Sequence, residues 1–180
     1  MSNIWFISDT HFCHEKNFIW EKRGYKSVHQ MNKDLIEKWN KTVEPEDIVY
    51  HLGDVMLNDN EEGMKILKNL KGQIHIIAGN HDTEKRIELY RESWNVVDVK
   101  YADLIKYNKH RSFYLSHYPA IVANYDDDKK LWNISGHDHT ENRFKNMAFQ
   151  VYNVCIEAHD GFPVNIDEVL EDIRRLRNDI

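Results

Sequence analysis

Short apolar runs alternate with amphipathic stretches along the chain, and no repeat or linker interrupts them. Ile4-Trp5-Phe6-Ile7 has the length and residue types of a strand. From Val28, apolar residues recur at Met31, Leu35, Ile36, Trp39 and Val43, the spacing of one helical face. Ser27 with Gln30 forms a capping-box pattern at its start, supplying acceptors to the free amides of the first turn, and Pro45 breaks it. Ile48-Val49-Tyr50 predicts the next strand, Met64, Leu67 and Leu70 a short helix ended by Gly72, and residues 73–78 a third strand. A helix over 84–94 follows, then strands near 96–99, 112–115, 131–134 and 148–155. The last helix carries Ile166, Val169, Leu170, Ile173 and Leu176 on one stripe. Its acids, Asp167 and Glu168, come early and Arg174, Arg175 and Arg177 late, as the helix dipole favours. Strands alternating with helices predict an α/β fold.

Five of the apolar runs end in the same kind of chemistry. The first leads into Asp9-Thr10-His11, the second into Gly53-Asp54, the third into Gly79-Asn80-His81-Asp82. Two later runs lead into His117 and into Gly136-His137-Asp138-His139. Ligands of open α/β sheets bind outside the carboxyl ends of strands, so these ends are expected to meet in one crevice. The i, i+2 spacing of Asp9 with His11, and of His137 with His139, places each pair on one side of extended backbone. Glycine before three of the clusters permits tight turns and close backbone approach. The donors are carboxylate, amide and imidazole without thiolate, which suits Mn, Fe, Zn or Ni better than a closed structural zinc site.

Composition narrows the class. A chain of 180 residues with 41% hydrophobic and 30% charged residues suits one globular domain spanning residues 1–180. No apolar run approaches the roughly 18 residues needed to span a bilayer, and no secretory signal is visible. Two cysteines, Cys13 and Cys155, make no disulfide framework, so a reducing, cytoplasmic setting is expected. The net charge of −6 disfavours a nonspecific nucleic-acid binder held by a basic face. Histidine is abundant, at 11 residues, and only position separates metal ligands from the rest.

The five motifs, in this order, resemble the signature of the calcineurin-like metallophosphoesterases: D-x-H, G-D, G-N-H-D/E, a lone H and G-H-x-H. The stretches 6–14, 28–40 and 47–54 look like the small bacterial and phage members, so the resemblance covers essentially the whole chain. It implies a sandwich of two mixed β-sheets flanked by helices. It also implies two divalent ions, with manganese the first choice. Asp9, His11, Asp54 and His139 would hold one, and Asp54, Asn80, His117 and His137 the other, with Asp54 bridging. His81 would face the substrate, stabilising equatorial oxygens and protonating the leaving alkoxide, while a metal-bridging hydroxide attacks in line. The centre so built is locally cationic, and an anionic phosphate ester is its natural guest, a nucleotide among the options.

Other residues are read against plainer alternatives. His14 is close enough in sequence to His11 to reach phosphate; His51 reads as a packed or supporting histidine, and His29, His75, His110 and His159 as structural or exposed. Cys13 reads as a small apolar filler that would make the site sensitive to oxidation. Many members carry an acid three residues after the bridging Asp to orient the catalytic histidine; here that position is Leu57, leaving Asp82 or Asp59 to substitute. Trp20, Lys22, Arg23, Tyr25 and Lys26 read equally as a nucleotide-contacting loop or a surface helix end, and residues 125–130 as an exposed loop at the site's edge. The expected activity is hydrolysis of a phosphodiester or phosphomonoester. A noncatalytic scaffold of the same fold, like the superfamily's retromer subunit, and a metal-dependent nuclease are the alternatives. The short intervals between motifs leave little room for a cap, so an open groove that admits diesters is expected.

Overall fold

The computed structural model describes residues 2–122, 131–146 and 150–178. Four parallel strands, β1 (Ile4–Ile7), β2 (Ile48–His51), β3 (Gln73–Ile77) and β4 (Val96–Lys100), follow one another across the first sheet. The second sheet has the order β5-β6-β7-β9-β8, from Ala102–Asn108, Arg111–Ser116, Leu131–Ser135, Val151–Asn153 and Phe144–Asn146 respectively. Its inner strands β6, β7 and β9 run parallel and its edges antiparallel. A two-residue strand, β10 (Val164–Asn165), closes the first sheet antiparallel to β1. Both sheets are therefore mixed, as expected.

Successive residues of a strand feed opposite sides of the first sheet. Ile7, Val49, Ile74 and Ile76 join Met31, Leu35 and Trp39 of α2 (Val28–Thr42) and Met64, Ile66 and Leu67 of α3 (Asn60–Asn69) in one buried cluster. Phe6, Leu52 and Ile77 instead meet Phe113, Leu115, Trp132 and Ile134 of the second sheet. The Phe6 and Phe113 rings touch edge to face with centroids 6.4 Å apart, directly bridging the two sheets. Ile166, Val169 and Ile173 of α5 (Ile166–Asn178) close this second cluster. No helix among the described residues is long and apolar enough to cross a membrane.

The helix α2 runs between its expected signals. Ser27 Oγ accepts from the Gln30 amide at 3.1 Å, while Gln30 Oε1 reaches back to the Lys26 amide at 2.8 Å, one residue before the usual capping-box partner. The helix α4 (Glu84–Arg91) stops at Arg91 rather than 94. Trp94, where the helix was expected to end, lies beyond it and is 77% exposed. The chain turns there because Asn95 is drawn in to donate to the Leu67 and Leu70 carbonyls at the end of α3. A four-residue helix, α1 (Asn17–Trp20), and strands β5, β8 and β10 escaped the sequence reading. The strand β5 is a half-exposed edge without clean alternation, and β8 and β10 are too short to show a period.

Asp59 caps α3, its carboxylate accepting from the Glu62 amide at 3.0 Å. Replacing it, Asp59→Ala, should lower stability by about 1 kcal/mol in urea unfolding and leave metal affinity unchanged.

Candidate metal centre

The carboxyl ends of β1, β2, β3, β6 and β7 bring the five motifs together. Backbone bonds lock the loops: Asp9 N to Gly53 O at 3.0 Å, His11 N to Asp54 O at 3.0 Å and Gly136 N to His117 O at 3.0 Å. On one side, His11 Nε2 lies 3.1 Å from His139 Nε2, and His139 Nε2 lies 3.5 Å from Asp9 Oδ1. On the other, Asn80 Oδ1 lies 2.9 Å from His117 Nε2 and 3.1 Å from His137 Nδ1. Asp54 Oδ2 stands between the groups, 3.7 Å from His11 Nε2 and 3.6 Å from His117 Nε2. All seven donors expected from the sequence converge.

By proximity alone Asp9 falls in both clusters, with His11 and His139 and with Asp54 and His117. The hydrogen bonds favour Asp54 as the shared residue. Asp9 Oδ2 is taken by the His137 amide at 2.9 Å and by the Cys155 thiol at 3.2 Å, leaving only Oδ1 to face His139. Asp54 Oδ1 is taken by the His81 amide at 2.8 Å, leaving Oδ2 facing both sides.

A family model described as the calcineurin-like phosphoesterase superfamily domain matches residues 2–154. The chain belongs to that superfamily. It is 34% identical to an uncharacterized protein of Methanocaldococcus jannaschii, over 97% of this chain and 93% of the relative. The gene 66 protein of Mycobacterium phage D29 is 27% identical, covering 100% and 98%. Among solved structures, a protein of unknown function from Aquifex aeolicus matches with TM-score 0.73 and 30% identity, over 95% of this chain and 99% of that one. An archaeal phosphodiesterase shares the fold at TM-score 0.50 and 21% identity, over 84% and 82%.

The superfamily's dependence on metal finds matching chemistry here. Asp9 Oδ1 is buried with no hydrogen-bond partner, an acceptor in want of a cation. Burial, then the Arg23 charge, holds the His11 imidazole well below its ordinary pKa, keeping it in the neutral form that binds metal. Burial pushes the Asp54 carboxyl upward, with His117 and the His81 amide pulling the other way. Carboxylate, amide and neutral imidazole crowded at these separations fit divalent ions.

The backbone carries the crowding. Asp9, His11, Asp54, His137 and His139 all have positive φ, between 48° and 80°. The i, i+2 pairs thus converge through left-handed turns beyond the strand ends, not through the extended backbone their spacing suggested. A Cβ on Gly79 would lie 2.3 Å from Asp54 Oδ1, and one on Gly136 would lie 2.4 Å from Asp9 Oδ2. Those two glycines are close-approach positions.

Several expectations change. Asp59 caps α3 and does not orient His81. Asp82 does not either: its carboxylate accepts from the amides of Asp54 (2.7 Å), Gly79 (2.9 Å) and Val55 (3.2 Å) and from Tyr90 Oη (2.7 Å). It supports the site by tying the ends of β2 and β3. Among the described residues no carboxylate hydrogen-bonds the His81 ring. Cys13 is buried, and burial raises its thiol pKa to about 11, so little thiolate is present for oxidation. Arg23 lies in the turn that follows α1, but its side chain points inward rather than toward solvent. It is buried, donating to the Asp9 and Thr10 carbonyls and to Glu157. The run 125–130 lies outside the described residues.

His14 lines the site, with its ring edge-on to His11 at 5.6 Å. His14 Nδ1 accepts from the Lys16 amide at 3.2 Å, so Nε2 carries the ring proton. His51 is fully buried beside Thr10 Oγ1 at 2.9 Å, and burial lowers its pKa to about 4. His75 pairs with Asp98 at 2.9 Å and His159 with the Asn153 carbonyl at 2.9 Å, while His29 and His110 are exposed. The sequence reading missed Glu157 and the ligand-side contact of Cys155, which follow β9 and carry no motif.

The Asp82 carboxylate suggests a direct test. Asp82→Asn keeps only one of the two acceptor oxygens, so its NH₂ faces either the Asp54 and Gly79 amides or the Val55 amide and the Tyr90 hydroxyl, and the change should destabilise the fold by about 3 kcal/mol. Urea unfolding of the metal-free variant measures it.

Proposed function

We propose that this chain is a binuclear, manganese-dependent phosphoesterase that hydrolyses small phosphodiesters. One observation carries the reading: two donor clusters, each mixing imidazole with amide or carboxylate oxygen, meet at Asp54 Oδ2. Asp9, His11, Asp54 and His139 would hold one ion and Asp54, Asn80, His117 and His137 the other. The ions would supply Lewis acidity toward the phosphoryl oxygens and an acidified water as nucleophile.

The chain's own residues do the rest. His81 is exposed at the mouth, its ring 5.5 Å from that of His11. Its amide is anchored to Asp54 Oδ1 and its carbonyl accepts from Arg86 at 2.6 Å, so the backbone that carries the imidazole is held beside the shared carboxylate. From there it protonates the departing alkoxide. His14 Nε2–H is free to donate to a phosphoryl oxygen. Tyr118 is 54% exposed and packs on the His137 ring at 4.5 Å, offering an aromatic wall to the alcohol portion of the ester.

The exposure of Asn80, His81 and Tyr118 supports an open groove, which admits the second ester group of a diester. The chain's net charge of −6 speaks against a long polyanion as substrate. A noncatalytic scaffold would have no need of His81 beside a complete donor set.

Metal-free protein given Mn²⁺ should hydrolyse an activated aryl phosphodiester. His81→Ala should lower kcat roughly 10²–10⁴-fold with a poor leaving group and much less with a good one. Asp54→Ala should bind neither ion tightly. No metal and no turnover in the native protein would overturn the reading, and cleavage of monoesters with refusal of every diester would overturn the substrate class.

A further inference from the structure

We infer that Glu157 and Arg23 form a positioning pair that aims His139 at the metal centre, an inference resting on the binuclear reading above. His139 Nδ1 lies 2.8 Å from Glu157 Oε1. With Nδ1–H donated to the carboxylate, the lone pair must sit on Nε2, the atom that faces His11 and Asp9 Oδ1. Glu157 thereby sets both the tautomer and the ring plane of His139. Such an outer carboxylate also raises the basicity of a ligating imidazole.

Arg23 fixes the carboxylate in turn. Its Nε and Nη2 donate to Glu157 Oε1 at 2.9 and 2.8 Å. The same guanidinium donates through Nη2 to the Asp9 carbonyl at 2.8 Å and through Nη1 to the Thr10 carbonyl at 3.2 Å. One side chain thus ties the Asp9 loop to the residue that aims His139. The side chains are only 6% and 16% exposed, so solvent screens the pair little. A buried guanidinium beside two divalent cations would be repelled, and Glu157 neutralises it.

The segment carrying Glu157 is itself built into the centre. Cys155 bridges to Ser8 in parallel register and its thiol reaches Asp9 Oδ2, while the Ile156 amide bonds the Ser8 carbonyl at 3.3 Å. The short 3₁₀ turn Ile156–His159 follows at once. This is a sixth strand end at the site, and Glu157 lies past residues 2–154 that the superfamily model matches.

The test is Mn²⁺ binding by titration calorimetry on the whole chain, with no substrate present. Glu157→Ala should weaken one of the two ions 10–100-fold and leave the other little changed. Glu157→Gln should recover part of the loss, because its amide oxygen still accepts from Nδ1–H although it leaves the Arg23 charge unneutralised. In a His139→Ala background, Glu157→Ala should cost clearly less Mn²⁺ affinity than it does with His139 present, leaving only the effect of the unneutralised Arg23 charge. Wild-type affinity at both sites in Glu157→Ala would overturn the inference, as would an equal loss with and without His139. Native protein that binds no Mn²⁺ would instead sink the binuclear reading itself. Thermal unfolding of each metal-free variant shows whether it folds; if Glu157→Ala does not, Arg23→Lys, which keeps the charge but cannot hold Glu157 and both carbonyls together, should weaken the same ion, and two unweakened ions in it would also count against the pair.

Discussion

The Asp82 carboxylate is the knot on which the centre depends. It gathers the amides of Asp54, Val55 and Gly79 and the hydroxyl of Tyr90 around one buried charge. Those amides belong to the loops after β2 and β3, so the knot fixes Asp54 relative to Asn80 and His81. A buried carboxylate is tolerated when donors surround it, and here three of the four are backbone groups that would otherwise be unpaired. Burial and the Asp82 charge together push the Tyr90 hydroxyl pKa upward, keeping it a donor. The donor set is thus shaped before any ion arrives.

The second constraint is steric. Donor atoms 3 to 4 Å apart demand that the loops carrying them nearly touch. The chain meets the demand with left-handed backbone at Asp9, His11, Asp54, His137 and His139, which costs of order 1 kcal/mol at each. The two-layer packing beneath, with Phe6 of one sheet against Phe113 of the other, gives the rigid floor that sustains this strain. Crowding the imidazoles and carboxylates without an ion between them is unfavourable, so occupancy and stability are coupled.

The sequence made the centre legible to the extent that its residues fall next to strand ends. Asp9, His11, Asp54, Asn80, His81, His117, His137 and His139 each follow an apolar run, and all arrive where that placement implies. What stayed hidden depends on contacts distant in sequence. Arg23 and Glu157 stand 134 residues apart, and neither position shows a pattern until the fold brings them together. Leu57 marked a missing acid, but Asp82 answers a different need, one visible only in where its hydrogen bonds go. The edge strand β5 and the two- and three-residue strands carried too little periodicity to be seen, whereas α2 and α5 announced themselves through stripe, cap and charge.

In the proposed centre one carboxylate, Asp54, joins two ions. Electron paramagnetic resonance of the Mn²⁺-loaded protein tests it most directly, because ions sharing a bridging oxygen are magnetically coupled. A spectrum of exchange-coupled Mn²⁺ pairs is expected at full loading. Only the hyperfine pattern of isolated Mn²⁺ at every loading would contradict it.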